Sequence, residues 1–248
     1  MKFSRKMQKL FSREAIESLY EHAARCAHPV STTSILAKLD PSAVASLTQR
    51  YPIGPNSPKI NRFANLGYWI EINVERAQDL WLDRTPPLRI LDLGCGAGYF
   101  LHVCKYFGHE VLGLDLDDHQ LFRDTLALLQ VPRVISRIDP NVPLPGLGRK
   151  FDLVTAHRIC FQRIDGAVSG KEWTPEHWKF FMADVRARFL DRDGRLLLDF
   201  NPRPDGSSFF TPELRSFFVS QGARVFRSKA LLAVDPAQRP HFKQTNRG

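Results

Sequence analysis

A short glycine-rich run constrains the fold of this chain more than any other feature. An apolar, strand-like stretch leads to Asp92, and three glycines then alternate with small residues before a helix-compatible segment. These glycines are Gly94, Gly96 and Gly98. Such a run predicts a buried strand that breaks into a tight loop and then opens a helix. Because glycine has no Cβ, a ligand can lie directly on such a loop, so the run predicts a cofactor-binding turn.

The glycine spacing helps to distinguish between cofactor classes. The dinucleotide-binding fingerprint is G-x-G-x-x-G, but Tyr99 stands here at the position of its last glycine. A second apolar run ends in Asp115, 23 residues after Asp92. That offset is close to the roughly 20 residues expected for a carboxylate that binds ribose hydroxyls. A nucleoside-containing cofactor is therefore predicted, and a nicotinamide-dependent dehydrogenase is an alternative that Tyr99 disfavours.

The acid-x-G-x-G-x-G form of the loop resembles motif I of the class I S-adenosylmethionine-dependent methyltransferases. The resemblance continues in the same order over residues 86–234, and it implies S-adenosylmethionine as the cofactor. The residues that it assigns to this cofactor are Asp92, Gly94, Gly96 and Gly98 for the methionine part, Asp115 for the ribose, and Leu116 and Asp139 for the adenine.

Strand and helix patterns alternate from residue 88 onward, which predicts an α/β domain with a parallel sheet and helices on both faces. The family resemblance implies a Rossmann-like, mostly parallel sheet of seven strands, the last of which are antiparallel. The later strands are predicted at 110–114, 133–138, 151–156, 194–200, 223–226 and 230–234.

The first 85 residues predict a helical appendage, with helices over 12–27, 41–49 and 61–83 and a proline-rich loop over 51–58. Pro86 and Pro87 separate it from the α/β pattern. We therefore expect three regions: a helical N-terminal lid or substrate region at 1–85, a cofactor-binding methyltransferase core at 86–234, and a loose basic tail at 235–248.

The charge and the cysteine content limit the kinds of partner and cofactor that this chain can be expected to bind. The net charge of +9 comes from 35 basic and 26 acidic residues, but the basic residues are dispersed, so a nucleic-acid partner is possible without being favoured. The four cysteines show no paired spacing, which argues against a disulfide framework and a zinc site, and no metal is expected. Without a signal peptide or an apolar run near the roughly 20 residues of a membrane span, a cytoplasmic location is expected.

Methyl transfer from a sulfonium depends mostly on in-line positioning of the acceptor. A base is needed only where the acceptor must lose a proton. Ligands of open α/β sheets bind beyond the carboxyl ends of the strands, and His157 lies just past the predicted fourth strand. The ordinary pKa of histidine, near 6.5, suits a base. His157 is therefore the predicted catalytic residue, and a pocket-lining role is the alternative.

The segment after the fourth strand constrains the acceptor more than any other part of the sequence. Methyltransferases acting on exocyclic amino groups of nucleobases typically have an Asn/Asp-Pro-Pro-aromatic run there, and this chain has none. A weaker resemblance to bacterial methyltransferase-domain proteins, over 157–161 and 172–181, implies a small-molecule or glycan-type acceptor. We expect transfer to oxygen, less readily to nitrogen. The alternatives are an RNA methyltransferase that uses the basic ends and a non-catalytic, cofactor-binding regulatory protein.

Overall fold

The computed structural model describes residues 13–159, 161–162, 172–202 and 208–233. These residues divide into two compact units. The first contains the residues up to Pro86 together with 97–108 and 119–130. The second contains 87–96, 109–118 and the described residues from 131 onward.

A sheet dominates the second unit, and seven strands of the described residues form it. They are β1 (Arg89–Leu93), β2 (Glu110–Asp115), β3 (Arg133–Ile135), β4 (Phe151–Ile159), β5 (Leu190–Phe200), β6 (Arg224–Phe226) and β7 (Lys229–Ala233). Their order is β3-β2-β1-β4-β5-β7-β6, and β7 runs in the direction opposite to that of the other six. This confirms the Rossmann-like, mostly parallel α/β fold.

The central strands are buried because they are apolar along nearly their whole length. In β1 every residue after Arg89 is buried, as expected of a parallel strand covered on both faces. Two helices of the second unit, which we number α7 (Pro175–Arg188) and α8 (Pro212–Ser220), pack their apolar faces into the same core. Trp178 of α7 is fully buried there, so it serves the packing of this helix.

The first unit is helical. It contains α1 (Arg13–Ala27), α2 (Thr32–Leu36), α3 (Pro41–Arg50), a 3₁₀ helix (Lys59–Ala64), α4 (Leu66–Asp79), α5 (Tyr99–Tyr106) and α6 (Gln120–Leu129). The hydroxyl of Tyr99 donates to the carbonyl of Phe63 at 2.5 Å. Arg50 and Tyr51 both donate to the carboxylate of Asp124, each at 2.7 Å. The N-terminal helices therefore pack directly on α5 and α6.

Capping residues set several helix starts as their sequence predicts. Asp40 accepts from the backbone N–H of Ser42 at 2.9 Å ahead of α3, and Thr211 accepts from Leu214 at 3.1 Å ahead of α8. Both side chains satisfy donors that a helix N-terminus leaves unpaired. Ser12, with which the helix predicted over 12–27 begins, lies outside the described residues.

Several element boundaries differ from the prediction. The helix predicted over 61–83 is interrupted, because Asn65 caps a new helix by accepting from the N–H of Tyr68 at 3.1 Å. Strand β3 ends at Ile135, so Asp139 lies in the loop after it rather than directly beyond the strand. Strand β4 continues to Ile159, which pairs with Phe200 at the end of β5, so His157 lies within the strand and not past its end.

Candidate functional site

The glycine loop follows β1 with positive φ angles at its glycines, as its composition predicts. Gly94 has φ +75° and Gly96 has φ +54°, in the left-handed region that L side chains rarely adopt. The N–H of Gly94 donates to the carbonyl of Leu114 at 2.7 Å, which fastens the loop to the end of β2. Gly98 has φ +80° and is the N-cap of α5.

Asp115 ends β2 and joins the glycine loop through its side chain. Its Oδ2 accepts from the backbone N–H of Gly96, and its Oδ1 accepts from that of Leu116 at 2.7 Å. Burial raises the pKa of this carboxyl, and the two backbone donors oppose the rise. Since each carboxylate oxygen has two lone pairs, both can still accept a hydroxyl. Gly96, Asp115 and Leu116 thus form one hydrogen-bonded group at the carboxyl end of β1 and β2.

Arg133 supports this group from the neighbouring strand β3. Its guanidinium donates to the carbonyl of Leu116 at 2.7 Å and forms an ion pair with Asp117. The side chain is only 10% exposed, so it is held against the turn after Asp115. Arg133 was not predicted as a site residue, and its only signal in the sequence is its place as the first residue of an edge strand.

Asp92 is enclosed near the end of β1. It is 3% exposed, and its Oδ1 accepts from the hydroxyl of Thr155 at 2.7 Å. This bond joins β1 to β4 directly below the glycine loop, because Asp92 and Thr155 are register partners. Thr155 was not predicted, although its position opposite a buried acid in a parallel pair is the signal that could have identified it.

Leu116 and Asp139 are both half-buried. Leu116 follows Asp115 directly, and its place beside an adenine stays a prediction. Within the part of the chain that the structure describes, no hydrogen bond or ion pair engages the Asp139 carboxylate, which leaves it available to an N–H donor. The backbone N–H of Ser136 donates to the carbonyl of Asp115 at 3.0 Å, so the loop that contains Asp139 starts at the end of β2.

His157 lies opposite an acid on the next strand. Its Nδ1 is 4.0 Å from Oδ2 of Asp199 in β5, and both side chains are 6% exposed. The other carboxylate oxygen, Oδ1, accepts from the hydroxyl of Ser228 at 2.6 Å. Burial alone would raise the pKa of Asp199, but the His157 ring and the Ser228 hydroxyl hold it below its ordinary value. Asp199 and Ser228 were not predicted as site residues, since only the pairing of β4, β5 and β7 brings them to His157.

A bulge beside His157 changes the direction of the strand. The register between β4 and β5 shifts between Ala156 and Ile159, and Arg158 has φ +53°. The amide of Asn201 donates to the carbonyls of Arg158 and Ile159 at 2.9 and 3.2 Å. Bulges of this kind re-aim side chains next to functional sites. The side chain of Asn201 therefore holds this bulge.

Aromatic side chains of the first unit form a separate cluster. Trp69 stacks on Phe63 with ring centroids 4.7 Å apart, and its Nε1 donates to the carbonyl of Arg62 at 2.9 Å. Tyr68 beside it is 53% exposed. Trp69 is thus tied into the helical packing, whereas Tyr68 presents its ring to solvent.

Two general properties of the described chain bear on its partners. None of the helices that the structure describes is long and apolar enough to cross a membrane. The described residues also contain no group of three or more His, Cys, Asp or Glu side chains placed to hold a metal ion.

Solved structures similar to this chain include S-adenosylmethionine-dependent methyltransferases. CalS10, an amino pentose methyltransferase from Micromonospora echinaspora solved with the cofactor bound, has 18% identity and a TM-score of 0.48 over 74% of this chain and all of that one. DesVI of Streptomyces venezuelae has 16% identity and a TM-score of 0.47, over 66% of this chain and 90% of that one. A TehB-like S-adenosylmethionine-dependent methyltransferase from Corynebacterium glutamicum has 20% identity and a TM-score of 0.44, over 78% and 97%.

No family model matches the sequence, and no curated protein matches it. At these levels of identity the likeness to the solved structures concerns the fold alone. Function therefore has to be inferred from the residues at the carboxyl ends of the strands.

Proposed function

We propose that this protein is a methyltransferase that uses S-adenosylmethionine. The observation that supports this most directly is the hydrogen-bonded group of Gly96, Asp115 and Leu116. In it the carboxylate of Asp115, which we assign to the ribose hydroxyls, is bonded to a loop whose three glycines carry no side chains, at the sheet edge where nucleoside ligands of open α/β folds bind. Strand order and an antiparallel β7 agree with that assignment.

Each part of the cofactor has a proposed partner in this chain. The backbone of Gly94, Gly96 and Gly98 would lie against the methionine part. Asp92, locked to Thr155, would fix the strand end that supports the loop. Asp115 would accept from the ribose hydroxyls, with Leu116 packed on the adenine and the Asp139 carboxylate accepting from its amino group. Bound there, S-adenosylmethionine supplies a methyl group already activated by the sulfonium charge.

For the acceptor we propose a hydroxyl of a small molecule or glycan. An alcohol must lose its proton at or before attack, and this requires a base. His157 faces an ionised carboxylate within the sheet, and such a pair is the arrangement that supports a histidine as base. In this assignment His157 takes the proton of the hydroxyl as the oxygen attacks the methyl group.

The proposal is tested by methyl transfer from isotopically labelled S-adenosylmethionine to a pool of hydroxylated small molecules and oligosaccharides. Mass spectrometry should show a product heavier by one labelled methyl group, together with S-adenosylhomocysteine. The Asp115→Ala variant should lose the product, and the Asp118→Ala variant, which removes an exposed carboxylate three residues away, should retain it. Equal product from both variants would contradict the assignment of Asp115.

The affinity of Asp115→Ala for S-adenosylmethionine should fall about 100-fold or more. Hydrogen bonds to a charged group contribute about 1.5–3 kcal/mol each, and 1.4 kcal/mol is tenfold in affinity. Because burial raises the pKa of Asp115, the wild-type affinity should also start to fall at a higher pH than an ordinary aspartate would cause. Calorimetric titration between pH 4 and 8 measures both effects.

A further inference from the structure

A largely buried polar array joins two neighbouring strands to the turn before a third at one end of the sheet. It consists of His157 in β4, Asp199 in β5 and Ser228, which directly precedes β7. Asp199 is 4% exposed, and apolar residues of the core surround this part of β5. An ionised carboxylate in such a place is costly unless it is paired. Packing alone therefore does not explain why these polar side chains are found here.

The hydroxyl of Ser228 fixes the rotation of the Asp199 carboxylate. Ser228 donates to Oδ1 at 2.6 Å, which leaves Oδ2 facing Nδ1 of His157. The position of Ser228 is itself set by the sheet, because its carbonyl accepts from the N–H of Phe200 at 2.9 Å. Two bonds thus hold Ser228 and β5 in one arrangement.

The charges around the His157 ring come from its neighbouring strands. Asp199 faces it from β5, and Lys229 of β7, the register partner of Asp199, helps to keep that carboxylate ionised. Arg158, next in the chain, is exposed. Since Asp199 is ionised at neutral pH, it favours a proton on Nδ1 of the His157 ring. The other nitrogen, Nε2, is then unprotonated and can take up a proton.

We propose that Asp199, held by Ser228, positions His157 so that its Nε2 accepts the proton of the methyl acceptor. The inference rests on the proposed methyltransferase function. As the acceptor oxygen forms its bond to the methyl carbon, the carbon–sulfur bond of S-adenosylmethionine breaks and the hydroxyl proton moves to Nε2. The products are the methyl ether, S-adenosylhomocysteine and a protonated His157, which Asp199 stabilises until the proton passes to water. Asp199 and Ser228 are positioning residues in this scheme.

The tautomer of His157 gives a test that needs no acceptor. In the full-length protein, labelled with ¹⁵N at histidine, the neutral His157 ring should have its proton on Nδ1. In the Asp199→Asn variant the new amide donates to Nδ1 and should move the proton to Nε2. Ser228→Ala should give a mixture of both tautomers. Ser228→Thr keeps the hydroxyl and should therefore show the wild-type tautomer. Asp152→Asn, which removes a carboxylate at the opposite end of β4, is the control and should leave the tautomer unchanged.

Turnover and cofactor affinity separate this proposal from the proposed function. Asp199→Asn should lower kcat by 100-fold or more with an unchanged Kd for S-adenosylmethionine, and Ser228→Ala should lower it by about tenfold. If every variant binds the cofactor but the tautomer and kcat of Asp199→Asn equal those of the wild type, the positioning role is overturned. Failure of the wild type to bind S-adenosylmethionine would instead overturn the proposed function. Circular dichroism confirms that each variant is folded, and Ser228→Ala keeps the test decisive if Asp199→Asn unfolds.

Discussion

Two glycines of this chain differ in backbone conformation and not in available space. A Cβ added to Gly94 would meet nothing closer than Phe161 at 4.0 Å, but the residue has φ +75°. A Cβ added to Gly67 in α4 would lie 3.9 Å from the nearest atom, the side-chain oxygen of Asn65, and φ is ordinary there. Any difference between alanine substitutions at the two positions therefore reports on the backbone.

Gly94→Ala should lower the free energy of unfolding by about 1–2 kcal/mol, the cost of placing an L side chain in the left-handed region. Gly67→Ala should raise it by about 0.4–1 kcal/mol, because the unfolded chain loses freedom at no cost to the helix. Urea denaturation of both variants and the wild type measures the difference. Equal effects of the two substitutions would show that the loop does not need the left-handed conformation at Gly94.

At the scale of elements, Arg89 joins the starts of three parallel strands. From β1 it donates to both carboxylate oxygens of Asp152 in β4, at 3.0 and 3.2 Å, and to Asp191 in β5 at 2.6 Å. Burial would raise the pKa of Asp152, but the Arg89 guanidinium lowers it below its ordinary value. The pKa of Asp191 is lowered first by the N–H of Arg192 and then by Arg89. The network thus favours both carboxylates in their charged forms.

Arg89→Gln should lower the melting temperature most at neutral pH. Carboxyls whose pKa is depressed in the folded protein supply stability above their ordinary pKa, near 4, and lose it as the pH falls through the depressed value. The difference between variant and wild type should therefore shrink below about pH 3. Arg192→Gln, at an exposed position of the same strand as Asp191, is the control. A difference that is constant from pH 7 to pH 3 would exclude the ion pairs as its cause.

Local patterns predicted most elements, and pairing between strands explains the features that they missed. The glycine loop, the caps at Asp40 and Thr211 and the closing β6–β7 hairpin all follow from short-range signals. The extension of β4 to Ile159 does not, because β5 stabilises it through a register with a bulge. Local patterns also do not predict contacts between neighbouring strands. Asp199 approaches His157, and Arg133 supports Leu116, only because their strands are neighbours in the sheet.

For the whole molecule, we expect one nucleoside cofactor bound at the carboxyl ends of β1 and β2. Calorimetric titration of the full chain with S-adenosylmethionine, S-adenosylhomocysteine and NAD tests this most directly. The first two should bind with micromolar Kd, about 8 kcal/mol of binding free energy, and NAD should not bind. Binding of NAD alone, or of none of the three, would contradict the proposed cofactor and the function that depends on it.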